Sequence, residues 1–175
     1  MSWKYAAILA FYVALPQSSF AVMLGLSTQE LTRSASLVVI GEVESVTSAW
    51  TQDKKTIITT AEVIVAEALK GSPKTKKIRV QYHGGQVGDT IMRQSDAPVL
   101  NQGEKVLLFL APGEPVRDGE AHTIAGRAQG KYTIGGDLIA RKQGFTAIAG
   151  NPESMDLSIS LEALIRNIRS HADEK

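Results

Sequence analysis

The chain is 175 residues long, enough for one domain and short for two. Lys and Arg number 19 against 18 Asp and Glu, a net charge of +1 that argues against a dedicated nucleic-acid binder, and 43% apolar with 21% charged residues excludes a disordered tail or a multispanning membrane protein. The absence of cysteine excludes disulfides, thiolate metal sites, iron–sulfur clusters, a cysteine nucleophile and a lipidated cysteine.

Residues 1–21 read as a secretory signal peptide. Lys4 supplies the positive start, residues 5–15 an uncharged apolar run, Pro16 its end, and Ser19-Phe20-Ala21 the cleavage site. The run is shorter than the roughly 20 residues a helix needs to cross a bilayer. An uncleaved amphipathic anchor is the alternative. The expected mature chain, 22–175, is one domain, periplasmic or secreted, with no stable membrane insertion. Without Lys4 it is formally neutral.

Ser27-Thr28-Gln29-Glu30 is a capping-box pattern that opens a short helix to about Ser34. Residues 37–48 follow as a strand rich in β-branched side chains. Gly41 inside it marks a bulge or a close backbone approach, and the apolar parity slips between Val43 and Val46. A polar turn at Gln52-Asp53-Lys54-Lys55 leads to a strand over 56–69, with Ile57, Ala61, Val63 and Val65 on one face. At ~3.3 Å per residue so long a strand must bend or end early. Residues 77–83 alternate Ile78, Val80 and Tyr82 with Arg79, Gln81 and His83, a strand with one buried face.

Residues 84–104 are rich in glycine and proline and read as a long loop or irregular excursion. Residues 105–111 form a continuous apolar run, expected to be a central strand covered on both faces. Residues 121–125 make a short strand. Tyr132 and Ile134, Gly135-Gly136, then Leu138 and Ala140 suggest a hairpin with a two-residue turn. Residues 160–172 close the chain as an amphipathic helix, with Leu161, Leu164, Ile165 and Ile168 on one stripe. The expected fold class is mainly β: a barrel of five or six antiparallel strands, OB-like, between a short N-terminal helix and a C-terminal helix.

The candidate chemistry is sparse. His83 and His122 could meet across strands, with Asp89, Asp96 or Glu104 as further zinc ligands, but no local metal spacing supports them. The plain alternative is two histidines on polar strand faces. His171, near the end of the last helix, has a favourable place on the helix dipole. Ser95-Asp96 with either His83 or His122 could make a hydrolytic set, yet no serine sits in an elbow motif. No cofactor motif is present. Gly84-Gly85-Gln86-Val87-Gly88 lacks the Lys-Ser or Lys-Thr of a phosphate loop, so it reads as a loop needing positive φ or close packing. Lys74-Thr75-Lys76-Lys77 is a solvated basic turn without interleaved aromatics. Trp50 is either a recognition anchor or the cover of one end of the core. The 91–100 stretch places Ile91, Met92, Val99 and Leu100 outside any clear strand, folded back on the core or forming a binding loop. The candidate interaction residues are therefore Trp50, Gly84, Gly85, Met92 and Leu100, with His83 and His122 as a separate polar pair.

The stretches 37–50, 63–71, 82–88, 103–112 and 125–134 resemble a family of exported bacterial β-rich domains of uncharacterised function. The order is also similar, more distantly, to the netrin-like module, the OB-type barrel of metalloproteinase inhibitors. That resemblance runs through Val39-Gly41-Val43, Lys70-Gly71 and the apolar strand after Gly103. It implies a barrel and, by extension, protease inhibition. Those inhibitors place an N-terminal cysteine on the target's zinc; here the expected terminus is Val22 and the chain has no cysteine. The likeness therefore bears on architecture more than on activity. Three readings follow: a non-catalytic exported binding module for a protein or envelope component, a protease-inhibitor-like domain, and a metal-dependent or serine hydrolase using His83 and His122.

Overall fold

Ser27 and Glu30 close the capping box their spacing announces. In the computed structural model, which describes residues 23–94, 96–114, 120–143, 148–149 and 155–172, the Glu30 amide donates to the Ser27 hydroxyl at 3.2 Å. The Ser27 amide donates in return to the Glu30 carboxylate at 2.8 Å. Two backbone donors are thus satisfied at the start of helix α1 (Thr28–Ser34), which follows a short strand β1 (Met23–Leu24). The expected signal peptide at 1–21 lies outside the described residues.

Strands β2 (Leu37–Trp50) and β3 (Ile57–Lys70), of 14 residues each, form a long hairpin. Neither ends early. Their register slips between Val38 and Val39, between Ile40 and Gly41, and between Val43 and Ser45, and such bulges let a long pair curl. Gly41 is required at its slip, because a Cβ there would stand 2.5 Å from the Ile64 carbonyl oxygen. Strand β4 (Lys77–His83) has the alternation its sequence prescribes.

The stretch after β4 departs from the expected irregular excursion. It contains a small hairpin, β5 (Gly85–Val87) with β6 (Thr90–Met92). Gly88-Asp89 is its two-residue turn, a signal hidden by the glycines around it. Strand β7 (Lys105–Pro112), β8 (Ala121–Ile124), a 3₁₀ turn at Arg127–Gly130, β9 (Lys131–Ile134) and β10 (Ile139–Arg141) follow. Then come β11 (Ile148–Ala149), β12 (Ser158–Ser160) and helix α2 (Leu161–Ala172). The β9–β10 turn is longer than the two residues expected. The Leu138 amide donates to the Gly135 carbonyl and Gly135 to the Ile139 carbonyl, and Leu138 takes a left-handed φ of 59°. A turn followed by one left-handed residue gives a three-residue loop.

The molecule is mainly β, with 48% of the described residues in strands and 17% helical. Among the described residues the main sheet has eight strands, in the order β12-β10-β9-β7-β2-β3-β4-β8, and β8 also pairs with β7. The strands β2, β3, β4, β8 and β7 thereby form a ring-like sheet of 5. The expectation of five or six strands, all antiparallel, needs correction: more strands are present, and β4 runs parallel to β8. An odd ring cannot alternate direction all the way round, so one parallel pair is obligatory. β1 also runs parallel to β11.

Two cores result. Val39, Val43, Ala61, Val63, Ile78, Val80, Leu108 and Ile124, drawn from every strand of the ring, pack together. On the other side Val38, Leu107, Phe109 and Tyr132 pack against Leu31 of α1 and Leu164 and Ile168 of α2. β7 supplies both cores: Val106, Leu108 and Leu110 go to the first, Leu107 and Phe109 to the second. All five are fully buried, which is why this strand is apolar on both faces.

Candidate functional site

The site is built where β4 runs out. Beyond His83 the chain turns through Gly84, whose amide donates to the Ile57 carbonyl at 2.8 Å. The Thr59 hydroxyl donates to the Gly84 carbonyl at 2.5 Å and shares a 2.8 Å hydrogen bond with Ser48. Gly85 lies directly on that hydroxyl pair. A Cβ at 85 would stand 2.2 Å from Thr59 Oγ1 and 2.4 Å from Ser48 Oγ, and φ there is +132°. The missing side chain is what seats the β5–β6 hairpin on the ring. Met92, the register partner of Gly85, anchors the same end from the other strand, where the Ile57 amide points at the thioether sulfur at 3.3 Å.

A second wall comes from residues 93–94 and 96–104. Tyr82 Oη accepts from the Leu100 amide at 3.3 Å. Gln143 straddles the same segment, accepting from the Val99 amide at 3.4 Å and donating to the Ala97 carbonyl at 3.2 Å. Lys131 donates to the Val99 carbonyl, and Arg127 pairs with Asp96. This wall is thus held by side chains of β4, of β9 and of residues that flank β8 and β10.

Between the two walls lies an open cleft of about 600 Å³. Two further depressions, of about 130 and 590 Å³, adjoin it, and His83 and Gln94 line all three. Four of the residues singled out in the sequence, Gly84, Gly85, Met92 and Leu100, line the main cleft together with His83. Trp50 does not. It sits at the end of β2 opposite Ile57, 37% exposed.

Arginine supplies the charge of the lining. Arg93 lines the main cleft beside the His83 imidazole, and Arg127 joins them on the 590 Å³ depression; neither has Asp or Glu in its described lining. Carboxamides from Gln86, Gln94, Asn101 and Gln143 supply neutral donors and acceptors. Tyr82 keeps its proton well into alkaline conditions, because burial pushes the phenol up despite the Leu100 amide it accepts. These contacts are invisible in sequence. The walls come from chain segments far apart, and the one local signal was the Gly88-Asp89 turn.

His83 and His122 do not form one site. His122 is paired in register with Val80, three residues before His83 on β4, so the two lie ~10 Å apart along the strands. His122 lines a different groove of about 400 Å³, among Glu62, Lys74, Lys77, Arg79 and Glu120. Its Nδ1 is buried without a hydrogen-bond partner among the described residues, and burial lowers its pKa although Glu120 opposes the shift. Among the described residues no group of three His, Cys, Asp or Glu side chains is placed to hold a metal ion. Ser95 lies outside the described residues.

No family model and no curated protein matches this chain. What bears on its function is the geometry and chemistry of the cleft.

Proposed function

We propose that this chain is an exported, non-catalytic binding module of a single domain, built on an OB-type barrel, with its ligand site in the cleft between β5–β6 and residues 97–101. The pairing order of the ring, β2-β3-β4-β8-β7 with one parallel contact, supports the barrel reading. The composition of residues 1–21 supports export, to the periplasm or the medium. One observation carries the binding reading: three adjoining depressions share His83 and Gln94, and their walls are pinned from several strands. A concave, preformed surface with a few polar groups among apolar ones is how ligand sites are commonly built.

The test is capture of exported proteins or envelope components of the host on tagged residues 22–175, beside an Arg93→Glu, Gln94→Ala variant. A partner retained by the parent and lost from a folded variant is the expected result. Equal retention by both would remove the cleft from the reading.

A protease-inhibitor-like role is a second reading with one observation in its favour. Gln129, buried beside α1, accepts from the Leu26 amide at 2.7 Å and donates to the Leu24 carbonyl at 2.9 Å. It therefore holds the segment that follows the expected terminus at Val22. Inhibition of a metalloprotease that survives an N-terminal extension would exclude contact through the terminal amine.

A further inference from the structure

The β5–β6 hairpin leaves one edge uncovered. Val87 and Thr90 flank its two-residue turn and form the hydrogen-bonded pair next to it. The alternation of an antiparallel ladder then makes Gln86 and Ile91 a non-hydrogen-bonded pair. The Ile91 amide and carbonyl therefore point away from β5. Among the described residues β6 pairs with nothing but β5, and Ile91 is 53% exposed. Ile91 and Arg93 line the 590 Å³ depression together with His83 and Arg127.

Charge is distributed unevenly along this edge: exposed Asp89 stands in the turn at one end and Arg93 follows β6 at the other. The His83 and Arg93 side chains have no hydrogen-bond or ion-pair partner among the described residues. Arg127 is paired with Asp96, which lines the neighbouring depression and not this one. Arg93, with the His83 imidazole, thus shares the lining of the depression with Ile91, whose amide and carbonyl point away from β5. Tyr82 is the only Phe, Tyr or Trp in the described lining of the three depressions, so there is no platform of rings on which successive bases or sugars could stack.

We propose that the cleft binds an extended acidic peptide segment, which adds as a strand to the free edge of β6. Resting on the reading of this cleft as the ligand site, the proposal names what the ligand is. The peptide backbone exchanges hydrogen bonds with Ile91, and its carboxylates meet His83 and Arg93. Main-chain pairing supplies affinity, and side-chain charge supplies choice. Four or five residues of peptide, at ~3.3 Å each, span the edge from Thr90 to Gln94.

The probe is a fluorescent ten-residue peptide of alternating Glu and Thr, read by anisotropy and by ¹⁵N amide shifts on residues 22–175. Binding should shift the amides of Gly84, Ile91 and Arg93 and weaken as salt rises. Arg93→Glu, an exposed change, should weaken it at least tenfold, and N-methylation of alternate peptide residues should abolish it. Equal binding of the N-methylated peptide, or of a Lys–Thr peptide, overturns the proposal. If inorganic phosphate or a sulfated oligosaccharide shifts these amides and the Glu–Thr peptide does not, the peptide assignment falls and the cleft remains a ligand site. If no probe shifts them and Arg93→Glu still captures the host partner, both fall.

Discussion

The Lys131 ammonium stands 2.7 Å from a Glu104 carboxylate oxygen, and their side chains are only 5% and 12% exposed. Thr133 donates to the same carboxylate, and the Asn101 amide donates to its other oxygen at 3.0 Å. Lys131 also donates to the Val99 carbonyl. The pair therefore joins the wall of the cleft to β9. Removing one member of a buried pair strands the other charge, so Lys131→Met should destabilise the protein by about 3–5 kcal/mol. Urea denaturation measures this. Lys131→Met with Glu104→Gln should recover part of the loss, and a single variant of unchanged stability would contradict the pairing.

Burial pushes the Glu104 carboxyl up, but the hydrogen bonds from Lys131, Thr133 and Asn101 outweigh it and leave the pKa lowered. A lowered folded-state pKa contributes stability above the unfolded carboxylate pKa, near 4.3, and that contribution is lost as pH falls through the folded value. Stability measured between pH 6 and 2.5 should therefore fall less steeply in Glu104→Gln than in the parent. Parallel curves would show that Glu104 titrates alike in both states.

Gly85→Ala should displace the β5–β6 hairpin, because backbone φ and the Ser48–Thr59 hydroxyl pair both oppose a Cβ. Overpacking of this kind costs about 1–3 kcal/mol. The decisive readout is local: amide shifts should change across 84–94 while the core amides of β7 keep theirs. No change at 84–94 would mean that the hairpin does not rest on these hydroxyls.

Lys142 is buried over the Tyr132 ring, 4.8 Å from its centroid, and its Nζ has no hydrogen-bond partner among the described residues. Burial brings its pKa down to about 8, with Asp156 opposing the shift. The folded state disfavours the charged amine, so the penalty is full below about pH 8. It is relieved as pH rises toward the unfolded value of about 10.4. Above pH 10 the Tyr132 phenol, pushed up by burial, acts in the opposite sense. Lys142→Met should stabilise the protein at pH 7 by about 1–3 kcal/mol and flatten the rise between pH 8 and 10. A loss of stability at pH 7 would mean that the amine makes a favourable contact there.

Leu138 is 64% exposed and holds a left-handed φ of 59°, which costs an L-residue about 1–2 kcal/mol. Leu138→Gly relieves that strain and keeps both backbone bonds of residue 138, although it loosens the unfolded chain. The net expectation is a gain below about 1 kcal/mol, read as a higher Tm. A lower Tm would mean that the Leu138 side chain packs to advantage.

The elements whose signals are local were legible. The capping box of α1 needs four consecutive residues, and the stripe of α2 needs one turn after another. Gly41 and the parity slip at Val43 both marked irregularities now seen in the β2–β3 register. The apolar run of β7 said that both its faces would be covered. The hairpin after β4 was obscured, since one short turn signal sat among glycines that read as loop. The cleft residues Arg93, Gln94, Arg127 and Gln143 carried no signal at all, being ordinary polar residues of exposed segments.

Local patterns of polarity and turn chemistry, acting within a few residues, determined from the sequence alone a mainly β molecule with a helix near each end. Tertiary structure decided what depends on distant segments meeting. It set which strands close the ring and made β4 and β8 parallel, since an odd ring admits no full alternation. It separated His83 from His122 and buried Lys131 against Glu104. It also brought Gly84, Gly85, Met92 and Leu100 to one cleft and left Trp50 off its lining. Those outcomes depend on which chain segments become neighbours when the two cores are buried, and no local sequence window holds that information.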